Sequence, residues 1–251
     1  MTNSGRVPAL YRCFAILELL SQADDFPGNN EIARRLGLNK STVSNTMHTL
    51  ADLGVLEIRS DGKFIFGPRF YLLANMAGKR SELQQTAHPY LGKINRATKL
   101  STFLGIRSGN CSMLIDKADS QVDIKVSSEI GMKMPPLAGA GIKAMLSQLS
   151  DREIDRVLSE SELKRFTPNS ITKKSNYKRE VASVRSEGIA LDMEEYIEGL
   201  VAVGIPVRTY SETIQAAIWA VGLKRQLTEE KLGPIKQYLS RIEKEINQRF
   251  Q

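Results

Sequence analysis

The 251-residue chain is 41% hydrophobic and 25% charged, the balance of an ordinary globular protein and enough length for two domains. No apolar run reaches the roughly 18 residues that span a bilayer, and the opening MTNSGRVPAL has no signal-peptide core, so the chain is expected in the cytoplasm with no membrane partner. Its two cysteines, Cys13 and Cys111, and two histidines, His48 and His88, stand at no metal-ligand spacing, so neither a metal nor another cofactor is expected. The formal charge of +7 invites a nucleic-acid reading, but the charge is unevenly placed. Residues 1–67 hold seven Lys/Arg and seven Asp/Glu, residues 68–100 hold six and one, and the remainder 22 and 20. Bulk charge therefore does not argue for DNA binding by the first segment.

In chain order, Ala9 to Ser21 is expected to form an amphipathic helix with Leu10, Cys13, Phe14, Leu17 and Leu20 on one side, packing on the winged-helix core or a partner subunit. A Pro/Gly/Asn/Asp-rich loop from Ala23 through Asp24 to Asn30 follows, with Asn29 or Asn30 able to cap a helix starting near Glu31. From there EIARRLGLNKSTVSNTMHTLADLGVLEIRSDGKFIFG reads as helix, turn, helix and hairpin. Ile32, Ala33 and Leu36 mark the inner face of the first helix, Gly37 breaks it, and Asn39 can cap the second. Val43, Met47 and Leu50 recur at i, i+4 and i+7, one buried stripe. The opposite face carries Lys40, Ser41, Thr42, Ser44, Asn45, His48 and Thr49, short polar groups able to meet base edges or phosphates from the major groove. Gly54 stops the helix, and Val55–Ile58 and Phe64–Phe66 flank an Asp61-Gly62 turn. Helix-turn-helix plus hairpin is a winged helix, assigned to residues 1–67. Candidate DNA contacts are Lys40, Ser41, Thr42, Ser44 and Asn45, with Arg34, Arg59 and the wing-tip Lys63 as candidate phosphate contacts.

Pro68 opens a linker helix over residues 68–81, with Phe70, Leu73 and Met76 as its contact face. The rest, 82–251, reads as an α+β domain. A helix with Leu83, Leu91 and Ile94 is expected to break or restart at Pro89. Strand patterns cover Thr102–Ile106, Ser112–Lys117 and the alternating Val122–Val126, then Leu200–Val207 and Ile214–Val221. Between them, GMKMPPLAGAGIKAMLSQLS is a Pro-broken, Gly/Ala-rich loop entering a helix, with further helices at Glu153–Leu158 and Asn176–Glu187; Glu229–Gln248 closes the chain.

Three segments in order, EIARRLGLNKSTVSNTMHTLADLGVLE, PPLAGAGIKAMLSQLS and GIALDMEEYIEGLVAVGIPV, resemble the IclR family of bacterial transcriptional regulators, over nearly the whole chain. The resemblance implies a winged helix on double-stranded operator DNA, a GAF-like effector domain, and a homodimer or dimer of dimers. It also implies a small organic or aromatic acid as effector, held at the positions occupied here by Ala140, Gly141, Asp192, Ala202, Trp219 and Val221. Where relatives binding small carboxylates offer Cys or Ser, this chain places Ala202, Trp219 and Val221, so a flatter or more apolar ligand is expected. Trp219 can equally be read as a plug that fills the pocket.

Other readings compete. Asp192, Glu194 and Glu195 could carry acid/base chemistry or a metal, but no His or nucleophile joins them. Gly139 to Lys143 lacks phosphate-loop spacing, and Lys173, Lys174, Lys178 and Arg179 read as a solvated surface. An enzyme tethered by the winged helix, or a winged helix that binds protein, are the alternatives.

Overall fold

A computed structural model describes residues 7–21, 23, 25–79, 81–211 and 213–250, without the side chains of 75 and 77–79. Asp24 of the expected loop, the first six residues and Arg80 of the expected linker lie outside the described residues. The chain divides into two compact units, Met1–Arg80 and Ser81–Gln251.

The first unit runs α1 (Pro8–Ser21), α2 (Asn29–Leu36), α3 (Lys40–Asp52), β1 (Leu56–Ile58), β2 (Phe64–Phe66) and α4 (Pro68–Lys79). Its core joins Ile16 and Leu20 of α1, Ile32 and Ala33 of α2, Val43, Met47 and Leu50 of α3, and Leu56 and Phe64 of the hairpin. At about 1.5–3 kcal/mol for each large side chain removed from water, this stripe fixes which face of α3 stays outside. Gly37 ends α2 in the left-handed region, and β1 pairs with β2 in antiparallel register from Leu56↔Phe66 to Ile58↔Phe64.

Three details of this unit stand out. In α1, Leu10 and Phe14 are 58% and 63% exposed, while Ile16 and the expected Leu20 take the core positions, so the winged-helix core receives only part of the expected face. The N-cap of α2 is Gly28, so Asn29 and Asn30 already belong to the helix. In α4, Phe70 stacks on Phe66 at 4.5 Å between centroids, but Leu73 and Met76 stay exposed with Tyr71 and Leu72, since within this unit β2 reaches only the first turn.

The second unit runs α5 (Glu82–Thr98), β3 (Ser101–Ser108), β4 (Cys111–Ala118), α6 (Gly139–Leu146), α7 (Asp151–Ser159), α8 (Lys174–Glu187), β5 (Ala190–Met193), β6 (Leu200–Val207), β7 (Ala216–Leu223) and α9 (Glu229–Asn247). The strands form one antiparallel sheet in the order β4-β3-β7-β6-β5. Alternation divides their side chains between two layers. Val201, Val203, Ile205 and Val207 of β6 with Ile218 and Ala220 of β7 pack under α5 and α9. Ala202 of β6 with Ala217, Trp219 and Val221 of β7 face α6 and α8. The result is the expected α+β domain.

Here too the structure differs from the expectations. α5 runs unbroken through Pro89, because Leu83, Ala87, Tyr90, Leu91 and Ile94 are buried along it and offset the one lost backbone bond. Residues 122–126 form no strand; Ile124 is 60% exposed, and the edge of β4 is taken by a later segment, with Gly131 and Met134 amides donating to Leu114 and Ser112 carbonyls at 2.8 Å. The four-residue β5 has no counterpart among the expected strands, and β7 starts at Ala216 rather than Ile214.

Candidate DNA interface and ligand cavity

Burial of Val43, Met47 and Leu50 turns Lys40, Ser41 and Asn45 outward as exposed residues, with Thr42 and Ser44 half-buried beside them. Not all of the polar face is open. Thr49 donates its hydroxyl to the Asn45 carbonyl at 2.8 Å, and Thr46 does the same to Thr42, while His48 packs edge-on to Phe64. Asn39 caps α3 without a side-chain hydrogen bond, leaving the first-turn amides beside Lys40 suited to an anion.

The local cations are mostly compensated. Lys63 holds both carboxylate oxygens of Asp25 at 2.9 Å, Arg59 lies 3.6 Å from Asp61, and Arg35 pairs with Glu31. Lys63 and the Phe26 amide hold the Asp25 carboxyl below its ordinary range, the Lys63 hydrogen bond foremost. Among the described residues no carboxylate lies within ion-pair distance of Lys40 or Arg34. Three of the cations of residues 1–67 are thus held in side-chain pairs, Arg35 on α2 and Arg59 and Lys63 on the wing.

In the second unit Ala140, Gly141, Asp192, Ala202, Trp219 and Val221 all line one cavity of about 240 Å³. Its floor is set by Trp219. A Cβ on Gly105 of β3 would stand 2.7 Å from the indole, and one on Gly141 of α6 would stand 2.8 Å from it, so only glycine at both positions lets the ring lie between strand and helix. Phe103 lies 5.9 Å away by centroids. The indole fills this slot, and the cavity of about 240 Å³ lies in front of it.

Further walls come from Ser127 and Ser128 in the stretch beside β4, from Met132 and Met134 at the head of the Pro-broken loop, and from Tyr196 and Ile197 in the turn after β5. The loop methionines and the MEEYIEG turn lie in segments that the sequence singles out; Ser127 and Ser128 are masked by the strand-like pattern of Val122–Val126 just before them. The turn after β5 is braced by Thr167, whose hydroxyl donates to the Glu194 carbonyl at 2.6 Å, by Ser170 to the Glu195 carbonyl at 2.7 Å, and by Phe166 edge-on to Tyr196.

Behind the cavity lies a small buried charge group. Lys143, 1% exposed, donates to both carboxylate oxygens of Glu195 at 2.7 and 2.9 Å. The Glu195 amide in turn donates to Asp192 at 2.7 Å. Burial pushes both carboxyls above their ordinary range, against the pull of Lys143. Two carboxylates therefore share one ammonium, and Asp192 is the member that lines the cavity, alone in carrying a charge among its described lining residues. Its Oδ2 lies 3.8 Å from where a Cβ on Gly139 would stand, beside the uncapped N-terminus of α6.

Residues 9–59 match the IclR helix-turn-helix domain, and residues 76–248 match the family described as bacterial transcriptional regulator IclR C-terminal. The HTH-type transcriptional regulator XynR of Escherichia coli (strain K12) is 25% identical over 93% of each chain. The acetate operon repressor of Salmonella typhimurium is 24% identical over 97% of this chain and 90% of its own. Among solved structures, an IclR transcriptional regulator from Alicyclobacillus acidocaldarius shares the fold at a TM-score of 0.81 and 24% identity, covering 96% of this chain and 98% of that one. An IclR homolog complexed with 4-hydroxybenzoate, from Microbacterium hydrocarbonoxydans, does so at 0.77 and 20%, covering 96% and 99%. With both units matched in order, the chain belongs to the IclR family of bacterial transcriptional regulators.

Proposed function

We propose that the operator affinity of this DNA-binding regulator is set by a small molecule held in the cavity between α6, β6 and β7. The observation that carries this reading is the convergence of Ala140, Gly141, Asp192, Ala202, Trp219 and Val221 on one cavity. A cavity of about 150 Å³ accommodates benzene, so about 240 Å³ fits one ring with a few substituent atoms. The Trp219 and Phe103 rings and the apolar Ala202 and Val221 favour a flat ligand and return little to a two- or three-carbon acid stripped of its water. The 4-hydroxybenzoate complexed with the Microbacterium hydrocarbonoxydans homolog is of the matching size.

Lys40, Ser41, Thr42, Ser44 and Asn45 would meet the major groove, with Arg34, Arg59 and Lys63 on phosphates. The exposed Leu10, Tyr11 and Phe14 of α1 and Tyr71, Leu72, Leu73 and Met76 of α4 are the surface a second copy would cover, giving a homodimer or dimer of dimers on a two-fold operator. Ligand binding would act by favouring one arrangement of the recognition helices, with α4 as the connecting element. The relatives named regulators favour this over catalysis, and a cytoplasmic site of action follows from it. The test is a thermal-shift screen of one-ring compounds followed by anisotropy titration of the DNA upstream of the gene. A compound that raises the melting temperature and changes DNA affinity supports the reading. Binders that leave DNA affinity unchanged would refute it.

A further inference from the structure

Resting on the reading of the cavity as a regulatory site, we infer that a β-bulge at Ile115 passes the state of the cavity to the head of α5, where Gln84 and His88 take it up. β4 pairs with β3 as Leu104↔Asp116 and Gly105↔Leu114, so Ile115 stands between two paired positions without a partner of its own. Strict alternation would send successive side chains to opposite faces of the sheet. The extra residue breaks that rule. Leu114 lines the cavity with Ser112, and Ile115 packs in the layer of α5 and α9. Asp116, next in the chain, turns to α5 as well, its Oδ2 2.8 Å from His88 Nδ1.

Cavity wall, outer edge and helix meet at this bulge. On the outer edge, the Leu114 amide donates to the Met132 carbonyl at 3.0 Å, and the Gly131 and Met134 amides donate to the Leu114 and Ser112 carbonyls at 2.8 Å. Met132 and Met134 line the cavity too, so an occupant presses on β4 and on the segment bonded to it. On the helix side, the Ile115 carbonyl accepts from Gln84 Nε2 at 2.7 Å. Gln84 lies in the first turn of α5, its amide on the Ser81 cap at 3.3 Å, and His88 stands one turn further along the same face. A bulge bends its strand where the ladder is interrupted, so a displacement of Leu114 is taken up at Ile115 and Asp116, and through them at Gln84 and His88. Because α5 follows α4 directly in the chain, these two residues hold the end of the connecting element to the cavity wall.

A double-mutant cycle on the full-length protein tests this and needs no identified occupant. Ala202→Phe sets a ring into the cavity from β6, and anisotropy titration with the gene's upstream DNA reads the consequence. Filling the cavity should shift DNA affinity at least about fivefold, the lower end of ordinary coupling between sites. Gln84→Met/His88→Ala removes both links to the bulge and should bind the same DNA as wild type does. In that background the shift caused by Ala202→Phe should drop below about twofold. His88→Gln alone, whose amide can still donate to Asp116, should keep the wild-type shift. Ala202→Met is the smaller filler for the same cycle if the ring prevents folding. A shift of equal size in both backgrounds would overturn the bulge as the link while sustaining the cavity as a regulatory site. Fillers that leave DNA affinity unchanged in both backgrounds would refute the site and the link together.

Discussion

If Lys63 contacts phosphate as proposed, its pairing with Asp25 tempers DNA affinity. The Lys63 ammonium is bound by both oxygens of Asp25, and a phosphate must displace that carboxylate to use it. Exposed pairs of this kind are weak, so Asp25→Asn should raise operator affinity only about two- to fivefold and steepen its salt dependence. Lys63→Gln should lower affinity and cancel the gain in the double variant; anisotropy at several salt concentrations measures all three. Asp192 carries a pH signature. Because burial raises its folded-state carboxyl above the unfolded value, the native state binds more protons, and stability falls as pH rises through that window. Asp192→Asn should therefore be more stable than wild type at pH 7 in urea denaturation, with the gain vanishing as pH falls through the folded value toward about 4. At Gly141 a methyl group would meet the indole at 2.8 Å. Gly141→Ala is expected to cost about 1–3 kcal/mol by overpacking, seen as a lower melting temperature and an altered Trp219 fluorescence. The residues themselves were legible in the sequence as chemistry; their pairing across 38 positions, as in Asp25 and Lys63, was not, since it depends on where two loops meet.

Among the elements, α3 was the most legible, because its apolar positions repeat at one helical period and nothing competes with them. In α1 apolar residues cover most of the circumference, so periodicity could not tell the Ile16–Leu20 face that meets the core from the Leu10–Phe14 face that does not. β5 escaped because four residues with an acidic third position carry little strand pattern; its place is fixed by pairing Asp192 with Ala202 of β6. The opposite error, Val122–Val126, shows that alternation without a free sheet edge makes no strand. The cavity was legible at its strand and helix positions and not in its loop walls, which are held by hydrogen bonds between distant segments. For α3 the prediction is direct: replacing Lys40, Thr42 and Asn45 together by Ala removes exposed or half-buried groups outside the core, so melting temperature should be unchanged while operator recognition is lost.

For the molecule as a whole, the division into Met1–Arg80 and Ser81–Gln251 separates a unit with the IclR helix-turn-helix from one matching the IclR C-terminal family. The first unit is neutral over residues 1–67, and its α1 and α4 leave large apolar side chains in solvent, a surface that assembly would cover. Phe14→Glu should weaken self-association in sedimentation velocity without unfolding the protein. On the proposed reading, neutrality leaves recognition to few cations and the uncharged groups of α3, and a second subunit would double the contacts. The most direct test is an anisotropy titration of wild-type protein and the Lys40/Thr42/Asn45→Ala variant against the gene's upstream DNA and a scrambled duplex at physiological salt. Wild type should prefer the upstream DNA by at least about a thousandfold, and the variant should bind both duplexes alike; a variant that keeps the wild-type preference would contradict recognition by the polar face of α3.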